Sequence, residues 1–225
     1  KLLEGFKIIP ETRYKTVSKV NMKKWQEAQE PMQFAISLSG EPTLYEPVGE
    51  LIAELRKRGK TSFLVTNGLY PEKLRELEKI GQLPTQLYIS INVPNEKMYQ
   101  TFHRSSKKDA WKKLMESLEV MSKLKCRTIF RMNLVKALNM EEELIKQYAE
   151  LIKIANPMFV EIKGFMSIGF ARQRLGYDRM PFFKEMKAFA EKLAKATGLK
   201  ILDSHEYSRA FVLSLELNNF LYSDL

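Results

Sequence analysis

A Gly-Glu-Pro motif stands where the first regular strand pattern of the chain ends. Apolar residues alternate with small ones from Phe34 to Leu38, which predicts a strand over about residues 33–39 with one apolar face. The motif Gly40-Glu41-Pro42 follows and places a carboxylate at the carboxyl end of a buried strand. α/β barrels build their active sites at that end. The motif therefore predicts an active-site acid, although it also fits a plain turn with a solvated Glu41.

Polar side chains recur on one face of the later strand-like segments. They are Tyr88, Ser90 and Asn92 on the third, Arg131 and Asn133 on the fourth, and Glu161 and Lys163 on the fifth, and the polar residues Thr66 and Asn67 end the second. A parallel strand covered by helices on both sides is apolar on both faces. One polar face per strand therefore predicts a sheet that lines a cavity on one side. Two local alternatives stay open, a plain Asn67-Gly68 turn and an internal ion pair between Arg131 and Glu161.

Strand and helix patterns alternate along most of the chain. Strands are predicted at about 33–39, 61–66, 86–92, 127–135 and 158–163, and helices at about 47–58, 71–80, 95–102, 109–124, 141–155 and 181–197. Two closing strands are predicted at 200–202 and 209–215, with a loop at 203–208 between them, and another loop is predicted at 164–180. Residues 1–32 are poorly defined, apart from one candidate helix over Asn21–Gln29. Consecutive strand–helix units predict a parallel sheet. A barrel and an open doubly wound sheet both fit, and the polar strand faces favour the barrel.

The composition describes a soluble globular protein. Of 225 residues, 44% are hydrophobic and 28% are charged, and neither a membrane-spanning run nor a signal-peptide pattern is visible. The one cysteine, Cys126, cannot form an internal disulfide or supply a cysteine-ligated zinc or iron–sulfur site alone, and it fits a reducing compartment. We expect a cytoplasmic protein. Because the chain opens at Lys1 instead of a methionine, we expect it to be part of a longer protein.

The net charge favours a polyanionic partner. Lysine and arginine exceed aspartate and glutamate by 37 to 27, which gives a formal charge of +10. Such an excess is typical of proteins that bind nucleic acid. A lysine- and glutamate-rich surface of the thermophile type is the alternative, and it explains the number of charges but not their imbalance.

Taken together, the motifs resemble those of radical SAM enzymes, and of the archaeal wyosine-forming family, the 4-demethylwyosine synthases, in particular. The matching segments are Ser39-Gly40-Glu41-Pro42-Thr43, Val65-Thr66-Asn67, Tyr88-Ile89-Ser90-Ile91-Asn92, Arg131 to Ala137, Glu161-Ile162-Lys163-Gly164 and Ser204 to Ser208. The resemblance covers about residues 33–215. It implies a partial (βα)6-type TIM-like barrel of the radical SAM class, as a single domain over residues 1–225. It also implies that SAM is cleaved reductively at a 4Fe–4S cluster and that pyruvate is condensed with N1-methylguanosine in tRNA.

The chain departs from this family in one large respect. Family members bind the cluster through a Cys-x3-Cys-x2-Cys loop after the first barrel strand, and this sequence contains no such loop. We expect the cluster-binding part, and thus its cysteine ligands, to precede Lys1. The alternative is a homologue that has lost the cluster and its chemistry.

The resemblance assigns roles to the polar residues at the strand ends. Gly40, Glu41 and Pro42 would hold the amino group of SAM, with Glu41 as the carboxylate that faces the ammonium. The remaining SAM-site residues would be Thr66, Asn67, Ser90 and Asn92, the last two at the ribose hydroxyls, and Arg131 at the SAM carboxylate. Lys163 would face the substrate, and as a catalytic residue it would bind an anion or form a Schiff base with pyruvate.

A second group of residues is predicted to contact tRNA phosphates. It comprises His103, Arg104, Lys107, Lys108, Arg172 and Arg174, with Lys112, Lys113 and Arg179 nearby. A solvated lysine-rich helix face is the alternative. The family usually has proline after this arginine, and Ser105 stands there instead. His205 and Glu206 match the family pattern without a clear role.

The expected partners are therefore tRNA, pyruvate and an electron donor, with no membrane, and the expected state is a monomer. Two rival functions remain. One is a different radical SAM enzyme acting on another substrate. The other is a cluster-less barrel that serves as a basic RNA-binding module.

Overall fold

Strands and helices alternate along the part of the chain that the computed structural model describes, residues 21–215. The strands are β1 (Gln33–Ile36), β2 (Thr61–Thr66), β3 (Gln86–Ser90), β4 (Arg127–Leu134), β5 (Phe159–Gly164), β6 (Lys200–His205) and β7 (Ala210–Ser214). The helices are α1 (Met22–Gln29), α2 (Val48–Lys57), α3 (Pro71–Lys79), α4 (Glu96–His103), α5 (Ala110–Met121), α6 (Ile145–Ala155), α7 (Gly169–Leu175) and α8 (Phe183–Thr197). Short 3-10 turns cover Pro42–Leu44 and Glu142–Leu144. Among the described residues, no helix is long and apolar enough to cross a membrane.

The strands form one seven-stranded sheet in the order β1-β2-β3-β4-β5-β7-β6. Neighbouring strands from β1 to β5 run parallel, and each pair is joined by helical crossovers. β7 pairs antiparallel with both β5 and β6. The prediction of a parallel α/β sheet of the partial-barrel type is therefore confirmed, and the last two strands add an antiparallel hairpin to it.

One face of the sheet packs on helices, and the other face, called the open face below, carries partly exposed residues within the described part of the chain. The buried strand residues alternate with partly exposed ones along β2, β3, β5 and β7. The buried set includes Leu64, Leu87, Ile89, Phe130, Met132, Val160, Ile162, Phe211 and Leu213, and it packs in one core with buried residues of α5, α6 and α8. Because successive strand residues point to opposite faces, Tyr88, Arg131 and Lys163 lie on the open face.

Several predicted boundaries were wrong. The first strand ends at Ile36, because the chain turns through two residues with positive φ, Leu38 at 82° and Gly40 at 81°. Leu38, predicted to lie on the apolar face of that strand, is 97% exposed. The third strand ends at Ser90, two residues before its predicted end.

Two segments predicted as loops contain regular structure. The loop at 164–180 contains α7, which is held by Ala171 and Leu175 against a small cluster of Val135, Phe165 and Met180. The loop at 203–208 is strand as far as His205, because β7 supplies its hydrogen-bonding partner. Neither segment shows a periodic apolar pattern, so tertiary contacts decide both. The helix that was an option over Asn21–Gln29 is present, and residues 1–20 lie outside the described part.

A buried amide connects the segments that follow β3 and β4. Asn139 is fully buried, and its Oδ1 accepts a hydrogen bond from the Val135 N–H at 2.6 Å. Its Nδ2 donates to the carbonyls of Asn92, at 2.6 Å, and Asn133, at 2.9 Å. The buried Tyr148 hydroxyl lies 2.9 Å from the carbonyl oxygens of both Asn92 and Asn139. The network fixes the carboxyl ends of two neighbouring strands.

We expect Asn139→Leu to lower the free energy of unfolding by about 3 kcal/mol. The change leaves the Val135 N–H and the Asn133 carbonyl without their buried partner, and each unpaired group costs about 1–3 kcal/mol. Urea unfolding of the full-length protein measures the effect. Asn133→Ala is the control, because the exposed Asn133 takes part through its backbone groups. An unfolding midpoint equal to wild type for Asn139→Leu would contradict the structural role.

Candidate active site

The Glu41 carboxylate connects the end of β1 to the end of β2. Its Oε1 accepts hydrogen bonds from the Thr43 N–H at 3.2 Å, the Thr43 hydroxyl at 2.6 Å and the Thr66 hydroxyl at 2.5 Å. Its Oε2 accepts one, from the Asn67 N–H at 2.8 Å. A carboxylate has about four lone-pair directions, two on each oxygen. Oε1 is therefore saturated, Oε2 keeps acceptor capacity, and the alternative of a solvated Glu41 in a plain turn is wrong.

The residues beside Glu41 keep the chain open around the carboxylate. Gly40 has a φ of 81°, and no heavy atom lies within 4 Å of the position that a Cβ would take there. Glycine adopts this left-handed conformation without the strain that a side chain would bring. Pro42 begins the 3-10 turn that Glu41 caps. A ligand can therefore approach the backbone at Gly40 closely.

Thr66 and Asn67 support the carboxylate from the neighbouring strand. Thr66 is 2% exposed, and its hydroxyl also accepts a hydrogen bond from the Gly68 N–H at 3.1 Å. The Asn67 Oδ1 accepts from the Leu69 N–H at 3.0 Å, which is the local turn that the sequence allowed. Thr43 ends the matching segment that begins at Ser39, but the sequence analysis gave it no role.

Three charged side chains form a row on the open face of β4 and β5. Arg131 lies opposite Ser90 on one side and opposite Glu161 on the other. The Arg131 Nε is 3.1 Å from Glu161 Oε2, and the Lys163 Nζ is 3.9 Å from Glu161 Oε1. The predicted alternative of an internal Arg131–Glu161 ion pair is therefore present. Two cations flank one carboxylate, so the row carries a net charge of about +1.

Tyr88 borders this row on β3. The Arg131 guanidinium carbon lies 6.0 Å from the centre of the Tyr88 ring. Burial, with a smaller effect of the Glu161 charge, raises the pKa of Tyr88, so the phenol stays protonated at neutral pH. Its hydroxyl donates to Gln86 Oε1 at 3.0 Å. Tyr88 is therefore an uncharged neighbour of the three charged side chains.

Asn92 stands just past the end of β3 and reaches β4. Its Oδ1 accepts a hydrogen bond from the Asn133 N–H at 3.1 Å. Its backbone carbonyl is held by Asn139 and Tyr148. The side-chain oxygen is thus engaged within the protein, and the amide NH2 is the group that Asn92 can offer to a ligand. Sequence analysis missed Asn139, which follows β4 without a recognisable motif.

The comparisons with known proteins identify the superfamily of the chain. Residues 9–149 match the family model described as the radical SAM superfamily. The chain belongs to the radical SAM superfamily. Residues 154–215, which include Lys163 and the β6–β7 hairpin, match a second family model, described as wyosine base formation.

Several curated proteins with assigned names are similar to the chain. It is 45% identical over 201 residues to the SAM-dependent tRNA 4-demethylwyosine synthase of Pyrococcus abyssi, covering 89% of this chain and 58% of that protein. It is 34% identical to the synthase of the same name from Methanocaldococcus jannaschii, covering 61% of that protein. The chain thus spans about three fifths of the length of these curated relatives.

Several solved structures are also similar to the chain. A structure of TYW1 with a lysine-pyruvate adduct bound matches with a TM-score of 0.75 at 34% identity, covering 88% of this chain and 61% of that one. A crystal structure of archaeal TYW1 matches with a TM-score of 0.73 at 33% identity, covering 90% and 64%. A domain of pyruvate-formate lyase-activating enzyme from Bacteroides vulgatus, with a TM-score of 0.55 at 16% identity, shares the fold alone.

The residues of the chain fit SAM and do not fit an iron–sulfur cluster. The free acceptor capacity of Glu41 Oε2 suits an ammonium, and Arg131 suits a carboxylate. A cluster needs several cysteine thiolates, and the one cysteine, Cys126, precedes β4 at the opposite end of the sheet. Burial raises the pKa of the Cys126 thiol to about 12, so it stays protonated. Within residues 21–215, no group of three or more His, Cys, Asp or Glu side chains is placed to hold a metal ion.

The basic residues predicted to bind tRNA occupy two neighbouring elements. Arg104, Lys107 and Lys108 follow α4, and Arg172 and Arg174 lie on α7. Phe102 near the end of α4 packs on the same small cluster, of Val135, Phe165 and Met180, that holds α7. The structure therefore brings both groups to the side of the sheet where the parallel strands end.

Some of these side chains also have internal partners. His103 lies with its ring centre 4.6 Å from that of Tyr99 and 5.2 Å from that of Phe102, and burial lowers its pKa, so it is neutral at pH 7. The Lys107 ammonium sits 4.0 Å from the centre of the Tyr70 ring. Arg179 donates to the carbonyls of Lys136 and Ala137, at 3.3 and 2.7 Å. Phosphate contacts by His103 and the basic residues stay a prediction.

Other predicted residues have local contacts. Lys113 lies 3.6 Å from the Glu72 carboxylate, and Lys112 is exposed on α5. His205 and Glu206 stand exposed at the β6–β7 turn, where the His205 Nδ1 accepts from the Ser208 N–H at 3.1 Å. These contacts match solvated or turn-forming roles, which the sequence analysis left open.

We expect Thr66→Val to weaken SAM binding by the full-length protein about tenfold. The change removes one of the three donors to Glu41 Oε1 and leaves the Gly68 N–H without its acceptor. Hydrogen bonds to a charged group contribute about 1.5–3 kcal/mol, which corresponds to a factor of ten or more. Equilibrium dialysis of the cluster-loaded protein with labelled SAM measures it.

Two variants separate this effect from a general loss of stability. Thr66→Ser keeps the hydroxyl and should bind SAM almost as wild type does. Thr128→Val removes another buried hydroxyl, which accepts from the Met158 N–H at 3.1 Å at the far end of the sheet, and should leave SAM affinity unchanged. Equal SAM affinity of Thr66→Val and wild type would refute a supporting role for Thr66.

Proposed function

We propose that the protein to which this chain belongs converts N1-methylguanosine in tRNA to 4-demethylwyosine, with pyruvate as the carbon donor. The observation that carries the proposal is one continuous sheet that combines two family signatures. The radical SAM part presents the Glu41 carboxylate, and the wyosine-forming part presents Lys163. Relatives named tRNA 4-demethylwyosine synthase include one that is 45% identical to the chain.

In this proposal the strand ends bind SAM. Glu41 Oε2 accepts a hydrogen bond from the SAM ammonium, and Gly40 lets the ligand approach the backbone. Ser90 and the amide NH2 of Asn92 bind the ribose hydroxyls, and Arg131 binds the carboxylate. SAM held there would supply a 5′-deoxyadenosyl radical on reduction, and that reduction would need a 4Fe–4S cluster that the residues of this chain do not hold. The residues of this chain fix SAM in place and exclude water from it.

In this proposal Lys163 binds pyruvate. Its ammonium stands beside Glu161 on the open face, 36% exposed, where both a small carboxylate and a ketone can reach it. Among the described strand residues, it is the one lysine on the polar face of β2 to β5. TYW1 has been solved with a lysine-pyruvate adduct, which supports a search for such a lysine in this protein.

The basic residues after β3 and β5 bind tRNA phosphates in this proposal. The target base is stacked in a folded RNA, so it has to be turned out of the stack into the open face of the sheet. We expect the full-length protein to act in the cytoplasm as a monomer and to draw electrons from a separate donor.

One assay tests the proposed function. The full-length protein is purified without oxygen, loaded with iron and sulfide, and mixed with dithionite, SAM, pyruvate and tRNA carrying N1-methylguanosine. We expect both 5′-deoxyadenosine and a tricyclic nucleoside in the tRNA. 5′-Deoxyadenosine alone would leave a radical SAM enzyme with another substrate. Neither product, from a folded protein that binds tRNA, would leave an RNA-binding module.

A further inference from the structure

The short helix α7 presents an unusual outer face. Phe170 is 80% exposed, which is rare for a side chain with so much apolar surface. Gln173 and Arg174 are exposed on the same helix. Residues three and four apart are neighbours on a helix surface, so the phenyl ring, the amide and the guanidinium lie side by side.

The orientation of α7 is fixed by its opposite face. Ala171 and Leu175 pack on the cluster of Val135, Phe165 and Met180, which turns Phe170 and Arg174 away from the core. The same cluster holds Phe102, near the end of α4. α7 is therefore anchored next to the carboxyl-terminal part of α4, on the side where the parallel strands end.

The side chains on the outer face of α7 favour one class of binding partner. Groups of exposed apolar side chains mark interaction sites, and Met166, at 46% exposed, and Ile168, at 66%, precede Phe170 closely in the chain. The helix sequence GFARQRL contains two arginines and no acidic residue. An aromatic ring interleaved with arginines is the combination that binds unpaired nucleotides, because bases stack on the ring and phosphates pair with the guanidinium. The net charge of +10 favours the same polyanion.

We propose that α7 is a contact site for an unpaired RNA segment, in which Phe170 stacks on one exposed base and Arg174 binds a neighbouring phosphate. The inference rests on the proposed function only in taking RNA as the partner. It adds that α7 distinguishes a loop from a duplex, because the bases of a duplex already stack on each other and offer no free face. The helix thus selects unpaired RNA next to the site.

The test compares two RNAs in binding to the full-length protein, without SAM or pyruvate. One is a hairpin with a seven-nucleotide loop, and the other is a fully paired duplex with the same number of phosphates. We expect Phe170→Ala to weaken binding of the hairpin about tenfold and to leave binding of the duplex unchanged, because one stacked base is lost. Phe170→Trp keeps a stacking surface and should bind the hairpin at least as well as wild type does. Fluorescence anisotropy measures both.

The salt dependence of RNA binding distinguishes the role of Arg174 from that of Phe170. Arg174→Gln should lower the slope of log K against log salt concentration by about one ion, whereas Phe170→Ala should leave it as in wild type. Ile154→Ala is the matched control, because Ile154 is an exposed apolar residue, 38% accessible, on α6, whose carboxyl end leads into the opposite end of the sheet. Ile154→Ala should change neither the affinity for the hairpin nor the affinity for the duplex.

Three outcomes would overturn the inference. The first is equal hairpin affinity of Phe170→Ala and wild type. The second is an equal loss for hairpin and duplex. The third is a lower unfolding temperature of Phe170→Ala with unchanged RNA binding, which would mean that another part of the full-length protein covers α7. Because no cofactor enters these measurements, their failure is distinct from a failure of the catalytic assay.

Discussion

Glu41→Gln in the full-length protein is expected to weaken SAM binding by about 100-fold and to slow 5′-deoxyadenosine formation at least as much. The substitution keeps the shape of the side chain and removes the charge that faces the SAM ammonium. A hydrogen bond between two charged groups is about twice as strong as a neutral one. A loss of about 2.7 kcal/mol corresponds to the expected factor.

The hydrogen bonds of Glu41 add to this effect. One carboxylate oxygen accepts from the Thr43 N–H and the other from the Asn67 N–H. Either orientation of a glutamine amide turns its NH2 group toward one of these two donors. One backbone N–H then loses its acceptor, so the binding site is also less well fixed.

Glu46→Gln is the control for Glu41→Gln. Glu46 is close in sequence, its side chain is 89% exposed, and it lies 3.4 Å from the Lys73 ammonium. Lys73 keeps its shorter ion pair with Glu76, at 2.7 Å, when Glu46 is changed, so SAM affinity should not change. Isothermal titration of the cluster-loaded protein measures both variants. SAM affinity of Glu41→Gln within a factor of two of wild type would show that the carboxylate only shapes the turn.

Lys163→Arg is expected to abolish formation of the tricyclic nucleoside, with a loss of more than 100-fold, and to leave SAM binding near wild type. Arginine keeps the positive charge beside Glu161 but does not act as an amine nucleophile. In the proposed step, the neutral amine attacks the pyruvate ketone and water leaves, which gives an imine. Added cyanoborohydride reduces the imine to a stable secondary amine.

Trapping followed by peptide mapping therefore locates the lysine. We expect the pyruvate adduct on Lys163 in wild type and no adduct in Lys163→Arg. Lys136→Arg is the matched control, because Lys136 is similarly exposed, at 43%, and pairs with Glu185 away from the row of charges. It should keep both adduct and product. An adduct that maps to a lysine outside this chain would contradict the role of Lys163 as nucleophile.

Local patterns predicted much of the site, because the period of a strand and the residues that end it are properties of a short segment. Glu41 at the end of a strand, the polar faces of β3 to β5 and the alternation of strand and helix could all be identified without tertiary information. The boundaries were less certain, as at Leu38, where apolar alternation continued past the true end of β1. The apolar alternation of a sequence can continue past the last residue of a strand. In the fold, the strand ends where its pairing with the neighbouring strand ends.

By itself, the sequence predicted the alternation of strands and helices, the parallel direction of the first five strands, and an acid, several amides and a lysine at or near the strand ends. Only the tertiary structure decided which groups these side chains meet. The two hydroxyls and two N–H groups around Glu41 come partly from β2, and Arg131 meets Glu161 across a strand boundary. The buried Asn139 and the α7 helix with its exposed Phe170 also depend on distant segments. Hydrogen bonds and packing join residues far apart along the chain, and no periodic pattern records those pairings.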